Sequence, residues 1–317
     1  MNTNDRRNFG FGRQLYWAGE QALRRTAEED GGRYGWLHAT LYRWEKFCDF
    51  CSEQGVVDAR DITFELVEKY SATLLRYSAS TQQNYLSAIN STMVALSGPE
   101  WQPISPSKVS GTRRRNVRAK ALVLARINID EVAWEIDQSV GLIYSFAVQA
   151  AFQFGLRRRE ALLFEFHVAK RQIRQSGYVD VIRGTKGGRG RSVQRLIPVS
   201  NDGYQLVQQM CNHFPEHRCL LLDGTYKSTS AKLSSEVLPI LKQNGIRNFH
   251  ELRAAYACRR YIEITGLEPP CNQPINSPNI EVDRNARAVI ALELGHSRID
   301  ILNAYVGSYH ENGSGTN

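Results

Sequence analysis

The chain has 317 residues, 42% of them hydrophobic and 23% charged, with a formal net charge of +8. That length exceeds one ordinary compact domain and suits two, and the apolar content is enough for real cores. No run approaches the apolar length of a membrane span, Met1 to Arg13 has no signal-peptide pattern, and six cysteines in such a chain do not make a disulfide scaffold, so an intracellular, soluble protein is expected.

Four helical periods come first. Apolar residues recur at helical spacing over 14–28, which Gly31 and Gly32 end. They recur again over 37–53, where Leu41, Trp44, Phe47 and Cys48 share a stripe. Asp61-Ile62-Thr63 opens a third helix over 64–77. Ser80-Thr81 opens a fourth over 82–96, in which Tyr85, Ile89, Met93 and Leu96 form one buried face. Four such helices make a small all-helical domain, expected over 1–111. Cys48 and Cys51 form a CxxC inside the second helix with no second pair, which reads as core rather than a metal site.

Residues 97–106 break the pattern with Gly98, Pro99, Pro103 and Pro106, and 112–120 is basic without an apolar period. This stretch reads as an interdomain linker. Arg113, Arg114, Arg115, Arg118 and Lys120 are candidates to follow a DNA backbone, because arginine forks match phosphate oxygens; a merely solvated charge run is the equal alternative.

The remaining domain, expected over 121–317, is mixed. An apolar helix over 140–154 ends at Gly155, and another opens near Arg158. Residues 178–183 and 192–199 alternate around the glycine-rich turn 184–190, a β-hairpin with Lys186 at its tip. Helices dominate from 234, and the tail from 310 is polar. The expected fold class is therefore mainly α with a small β-sheet. Cys211, His213, His217 and Cys219 cluster, but not at a standard zinc spacing, so neither a metal nor another cofactor is expected.

Basic and hydroxyl groups stand at the punctuation points of this second domain. Arg157 lies in a turn between helices. Asn248 reads as the N-cap of a helix with Glu251 as its capping-box partner, and His250 and Arg253 share a face of that helix. His296 follows Leu294-Gly295. Ser297 and Asp300 read as caps of a last helix carrying Tyr305. Such groups suit transfer between phosphodiesters. Two arginines stabilise charge on the non-bridging oxygens, a tyrosine attacks with help from a base, and a lysine protonates the leaving oxygen. A phosphotyrosyl ester keeps the step reversible without ATP.

Gly155-Leu156-Arg157 with Glu160, Lys186 in its glycine turn, His250-Glu251-Leu252-Arg253, Leu294-Gly295-His296 and Tyr305 occur in the order that marks the tyrosine recombinase (phage integrase) family, which the second domain closely resembles. The helical first domain resembles the family's SAM-like core-binding domain. The resemblance implies that Arg157 and Arg253 hold the scissile phosphate, Lys186 is the general acid, and His250 is the proton acceptor or relay for Tyr305. It further implies that His296 bonds the phosphate and that Glu160 positions Arg157. Alternatives stand beside these: Arg158 or Arg159 for Arg157, Arg189 or Arg191 for Lys186, and Tyr309 for Tyr305, although Tyr309 is wrongly spaced from His296.

The implied partners are double-stranded DNA carrying recombination sites, a homotetramer on that DNA, and an optional accessory DNA-bending or directionality protein, with no membrane and a cytoplasmic, nucleoid-associated location. An integrase of a mobile element is the leading reading. A DNA-binding protein that kept the fold and lost the chemistry, or a relaxing enzyme of the type IB topoisomerase kind, are the alternatives. Two departures from the family pattern are expected. One is an inserted loop over 267–284, holding Pro269, Pro270, Pro274 and Pro278. The other is a short polar tail, with no separate arm-site-binding domain ahead of the first helix.

Overall fold

The computed structural model describes residues 3–29, 34–112, 117–118, 128–185, 190, 193–272 and 278–309. The chain divides into two compact units, Met1–Arg115 and Asn116–Asn317.

In the first unit, helices α1 (Leu15–Glu29), α2 (Tyr34–Glu53) and α4 (Ala79–Ser97) pack against one another, with α3 (Phe64–Thr73) and the short α5 (Pro106–Val109) alongside. Trp44, Phe47, Leu86, Ile89 and Met93 fill the core. The helices meet closely at Gly19, where a Cβ would lie 2.1 Å from Trp44 Nε1. Helix α3 begins as expected, with Thr63 Oγ1 accepting the Leu66 N–H, but it stops at Thr73 rather than 77. Helix α4 begins earlier than Ser80-Thr81 suggested. Ser78 is the N-cap, its hydroxyl accepting the Thr81 N–H, and Thr81 lies inside the helix. Cys48 and Cys51 are free thiols, both with pKa values raised by burial.

In the second unit, α6 (Ile129–Ser139) leads into α7 (Leu142–Phe154), which packs against α10 (Asn201–His213) and α13 (His250–Thr265). Helices α8 (Arg158–Leu162) and α9 (Phe166–Ser176) follow α7 directly. Strands β1 (Tyr178–Asp180) and β2 (Leu196–Pro198) pair antiparallel with Val179 opposite Ile197. The strands are shorter than the sequence alternation because the chain turns at Arg183 and Gly184, where Thr185 Oγ1 donates to the Ile182 carbonyl. Helices α11 (Tyr226–Lys232), α12 (Leu238–Gln243), α14 (Ile280–Glu293) and the four-residue α15 (Asn303–Val306) complete the unit. Among the described residues the fold is mainly helical with one two-stranded sheet, as the sequence led us to expect.

Three local expectations are corrected. The N-cap of α13 is Phe249; Asn248 Oδ1 accepts the His250 N–H from one place earlier, while Glu251 pairs with Arg118 and Arg247 instead of closing a capping box. Asp300 pairs with Arg298, the N-cap of a 3-10 turn over Ile299–Leu302, rather than capping the tyrosine helix. The expected loop over 267–284 is partly ordered structure. Residues Pro270–Asn272 form a 3-10 turn with Cys271 buried, and α14 begins at Ile280, capped by Asn279. Among the described residues no helix is long and apolar enough to cross a membrane, and no group of three or more His, Cys, Asp or Glu is arranged to hold a metal.

Candidate active site

The site is built where α7 ends. Gly155 closes that helix with φ +59°, and a Cβ there would lie 2.7 Å from Tyr256 and 2.8 Å from Leu294, so both conformation and space call for glycine. The turn delivers Arg157 to the start of α8. Glu160, one helical turn on and fully buried, accepts the Arg157 backbone N–H at 2.7 Å and its Nη1 at 2.6 Å. The same carboxylate pairs with Arg195 Nη1 at 2.8 Å and stands 3.7 Å from Arg253 Nη1. Burial alone would raise the pKa of Glu160, but Arg195, Arg253, Arg157 and the Arg157 backbone N–H draw it down to about 2.

Arg253 projects from α13 and is entirely buried. It donates to the carbonyls of Gly155 and Leu294, which places its guanidinium between the end of α7 and the end of α14. It also donates from Nε to the Tyr305 hydroxyl at 3.3 Å and from Nη2 to His296 Nε2 at 3.2 Å. Desolvation, then Arg195 and Arg157, push its pKa down.

Tyr305 lies on α15 and is 3% exposed. Its hydroxyl is 3.2 Å from His296 Nε2, which Arg157 Nη2 also approaches at 3.4 Å. Two guanidinium donors on one ring nitrogen require that nitrogen to be an acceptor, so the proton of neutral His296 belongs on Nδ1. Burial, then Arg253, Arg157, Arg195 and His250, hold the His296 pKa down at about 3. His250, nearer the rim and more exposed, sets its ring 5.2 Å from that of Tyr305. Desolvation, then Arg253 and Arg157, lower its pKa to about 4. Both rings are thus neutral at pH 7.

The short α15 is held from several sides. The Arg118 N–H donates to the Asn303 carbonyl at 2.8 Å. The thiols of Cys258 and Cys271, 3.8 Å apart, donate to the Tyr305 carbonyl at 3.6 and 3.9 Å. Gly307 follows so closely that a Cβ would lie 2.7 Å from Cys271 N. A cavity of about 370 Å³ opens beside Arg157 and His250, walled by Leu233, Leu238, Leu241 and Phe249.

Five of the sequence candidates, Arg157, His250, Arg253, His296 and Tyr305, therefore converge, with Glu160 beneath the arginines. Tyr309 points elsewhere, its hydroxyl donating to the Glu268 carbonyl at 3.3 Å. Arg158 and Arg159 are also directed away, toward Ser234 and the Tyr226 ring. Lys186, its alternatives Arg189 and Arg191, and Arg113, Arg114, Arg115 and Lys120 lie outside the described residues. Arg118 is described, and its guanidinium is turned inward: it is largely buried and pairs with Glu251 at 2.7 Å. That pair ties Arg118 to α13 instead of leaving it free for a phosphate. The sequence reading missed Arg195 altogether. A signal was present, since Arg195, just before β2, and Ile197 within it are buried while Leu196 between them is exposed.

Residues 122–259 match the family model described as integrase. Solved structures share the fold over nearly the whole chain. The integrase of transposon Tn1549, in complex with transposon right-end DNA, matches with a TM-score of 0.58 at 13% identity, covering 92% of this chain and 96% of that one. A lambda integrase dimer bound to a COC′ core site matches with a TM-score of 0.52 at 18% identity, covering 94% and 97%. A lambda integrase tetramer bound to a Holliday junction matches with a TM-score of 0.53 at 17% identity, covering 88% and 73%. No curated protein sequence matches the chain. The matched residues lie within the second unit. Over both units the chain has the fold of the tyrosine recombinases and resembles those of mobile elements.

Proposed function

We propose that this protein is a site-specific tyrosine recombinase that cleaves and rejoins DNA through a 3′-phosphotyrosyl link at Tyr305, integrating or excising a mobile element. One observation carries the reading. The Tyr305 hydroxyl stands within hydrogen-bond reach of Arg253 and His296, with Arg157 on the same histidine, while Tyr309 is turned away.

A scissile phosphate entering between Arg157 and Arg253 receives their donors on its non-bridging oxygens, where charge develops in the transition state. The phenol oxygen attacks phosphorus and the bond to the 5′-oxygen breaks. The phenol proton passes to neutral His296, the ring in contact with it, with His250 as relay at the rim. The leaving 5′-oxygen takes a proton from Lys186, and the 3′-phosphotyrosyl ester remains until a 5′-hydroxyl reverses the step. The working form is a tetramer on two duplex sites, as the lambda integrase tetramer on a Holliday junction suggests by analogy.

The test is to recover DNA covalently trapped on the protein in its host and to use that duplex for cleavage. Tyr305→Phe is expected to bind the duplex normally and form no SDS-resistant adduct, while Tyr309→Phe remains active. An adduct from Tyr305→Phe overturns the assignment. Relaxation of any supercoiled plasmid regardless of sequence turns the reading toward a topoisomerase.

A further inference from the structure

Arg195 is the third guanidinium around Glu160. Its side-chain donors are directed to Glu160 and to the carbonyls of Gly155 and Glu293 rather than to Tyr305 or His296, yet it shares Glu160 with Arg157 and Arg253 and the Gly155 carbonyl with Arg253. Its Nη1 pairs with Glu160 at 2.8 Å. Its Nη2 donates at 3.3 Å to the Gly155 carbonyl, the same oxygen that accepts from Arg253. Its Nε donates at 2.7 Å to the Glu293 carbonyl, next to the Leu294 carbonyl that also accepts from Arg253. Its backbone N–H donates at 2.9 Å to Asp180 Oδ1, so β1 is tied to the same point.

We propose that Arg195 is a positioning residue for the phosphate clamp, dividing the Glu160 carboxylate so that Arg157 is held and Arg253 stays turned toward Tyr305 and His296. Glu160 gives Oε1 to the Arg157 side chain, while its Oε2 faces Arg195 at 2.8 Å and Arg253 at 3.7 Å. Without Arg195, the buried carboxylate has Arg253 as its nearest uncompensated cation, and a direct ion pair there would draw the Arg253 fork away from Tyr305 and His296. A buried charge finds a partner when one is in reach. Arg195 occupies that partner and keeps the Arg253 donors directed at the incoming phosphate.

The inference rests on reading Arg157 and Arg253 as the clamp. Arg195→Met, Arg195→Lys, Glu160→Gln and the double variant Arg195→Met with Glu160→Gln are compared by single-turnover cleavage of the recovered duplex at saturating protein, below each variant's own melting midpoint, and by duplex affinity. Both Arg195 variants are expected to lose roughly tenfold to a hundredfold in cleavage rate, the scale of a small misplacement of catalytic groups. Their duplex affinity is expected to stay within about threefold of the parent, because the Arg195 side-chain donors are directed to Glu160 and backbone carbonyls. The double variant is expected to be no slower than the slower single one, because both changes act through the same carboxylate.

Rate and affinity falling together, an unchanged rate, multiplicative losses in the double variant, or failure of both Arg195 variants to fold would each overturn the inference. Lysine keeps the charge and most of the stem, so it supplies a folded test if methionine does not. Tyr305→Phe run alongside separates the two readings. An adduct from it overturns the site itself, whereas its silence with an undiminished Arg195→Lys rate overturns only the role of Arg195.

Discussion

The two units solve the problem of a core in opposite ways. Around Trp44 the first unit packs aromatic and aliphatic side chains, and Trp44 Nε1 is buried without a hydrogen-bond partner. Around Glu160 the second unit buries one carboxylate and two guanidiniums, with a third at the rim; backbone carbonyls at the ends of α7 and α14 accept from the two buried guanidiniums, and Arg195 Nη1 has its ion pair with Glu160 but no hydrogen bond. An apolar core tolerates exchange among residues of similar volume, while removing one partner of a buried ion pair leaves the other uncompensated. The first unit therefore reads as scaffold and the second as a charge-bearing mould.

The sharpest way to break this contrast is to cut each core once. Trp44→Ala should destabilise the first unit by about 3–5 kcal/mol, and Trp44→Phe by far less, measured by urea unfolding. Arg157→Ala should leave duplex affinity nearly unchanged and lower single-turnover cleavage roughly a hundredfold or more, because it removes a contact to transition-state oxygens. A stability loss in Arg157→Ala as large as that in Trp44→Ala would erase the distinction.

Acid provides a milder separation. His250 and His296 have folded pKa values near 4 and 3 against an ordinary 6.5, so below 6.5 the unfolded chain binds more protons than the folded one. Stability of the second unit should therefore fall as pH drops from about 6.5 toward 4. It should fall further below 4.5 as Glu160, whose folded pKa is about 2, loses its advantage as a carboxylate. In the first unit, among the described residues, the one carboxylate with a resolved shift is Asp58, lowered from 3.8, so its loss begins only below that value. Four of the five tryptophans, Trp17, Trp36, Trp44 and Trp101, lie in the first unit. Fluorescence and circular dichroism melts should separate at pH 5 more than at pH 7, and coincident shifts would count against the assignment of the titrating groups. Cleavage itself should hold from pH 7 to about 5, since both histidines stay neutral there.

The smallest expected effect concerns the linker. Changing Arg113, Arg114 and Arg115 to Ala should weaken binding to specific and random duplexes alike and flatten its salt dependence by roughly one ion per lost contact. Arg118→Ala should leave the salt slope in place and act instead on cleavage, through the contacts of Arg118 with α13 and α15. A slope unchanged by the triple variant would make the linker charge merely solvated.

What was legible in the sequence follows a physical rule. Arg157, His250, Arg253, His296 and Tyr305 sit at helix junctions, where a glycine, a cap or a short spacing marks the position locally. Arg195 was not legible in that way because its partners, Glu160 and the carbonyls of Gly155 and Glu293, are distant in the chain. Only the alternation leading into β2 marked it. The capping errors share a cause: Glu251 and Asp300 had the right spacing for caps, but nearby arginines offered stronger, charged partners. Cys271 lies against Gly307 and the Tyr305 carbonyl, contacts no local pattern encodes.

The cluster of Arg157, Arg195 and Arg253 around a single carboxylate carries more positive charge than it neutralises. By mass action, an anion that binds this pocket in the folded chain and not in the unfolded one adds to stability as its concentration rises, by about 2.7 kcal/mol at a hundred times its dissociation constant. On the proposed reading the free protein is at its least stable, and the DNA phosphate is also the counterion of this pocket.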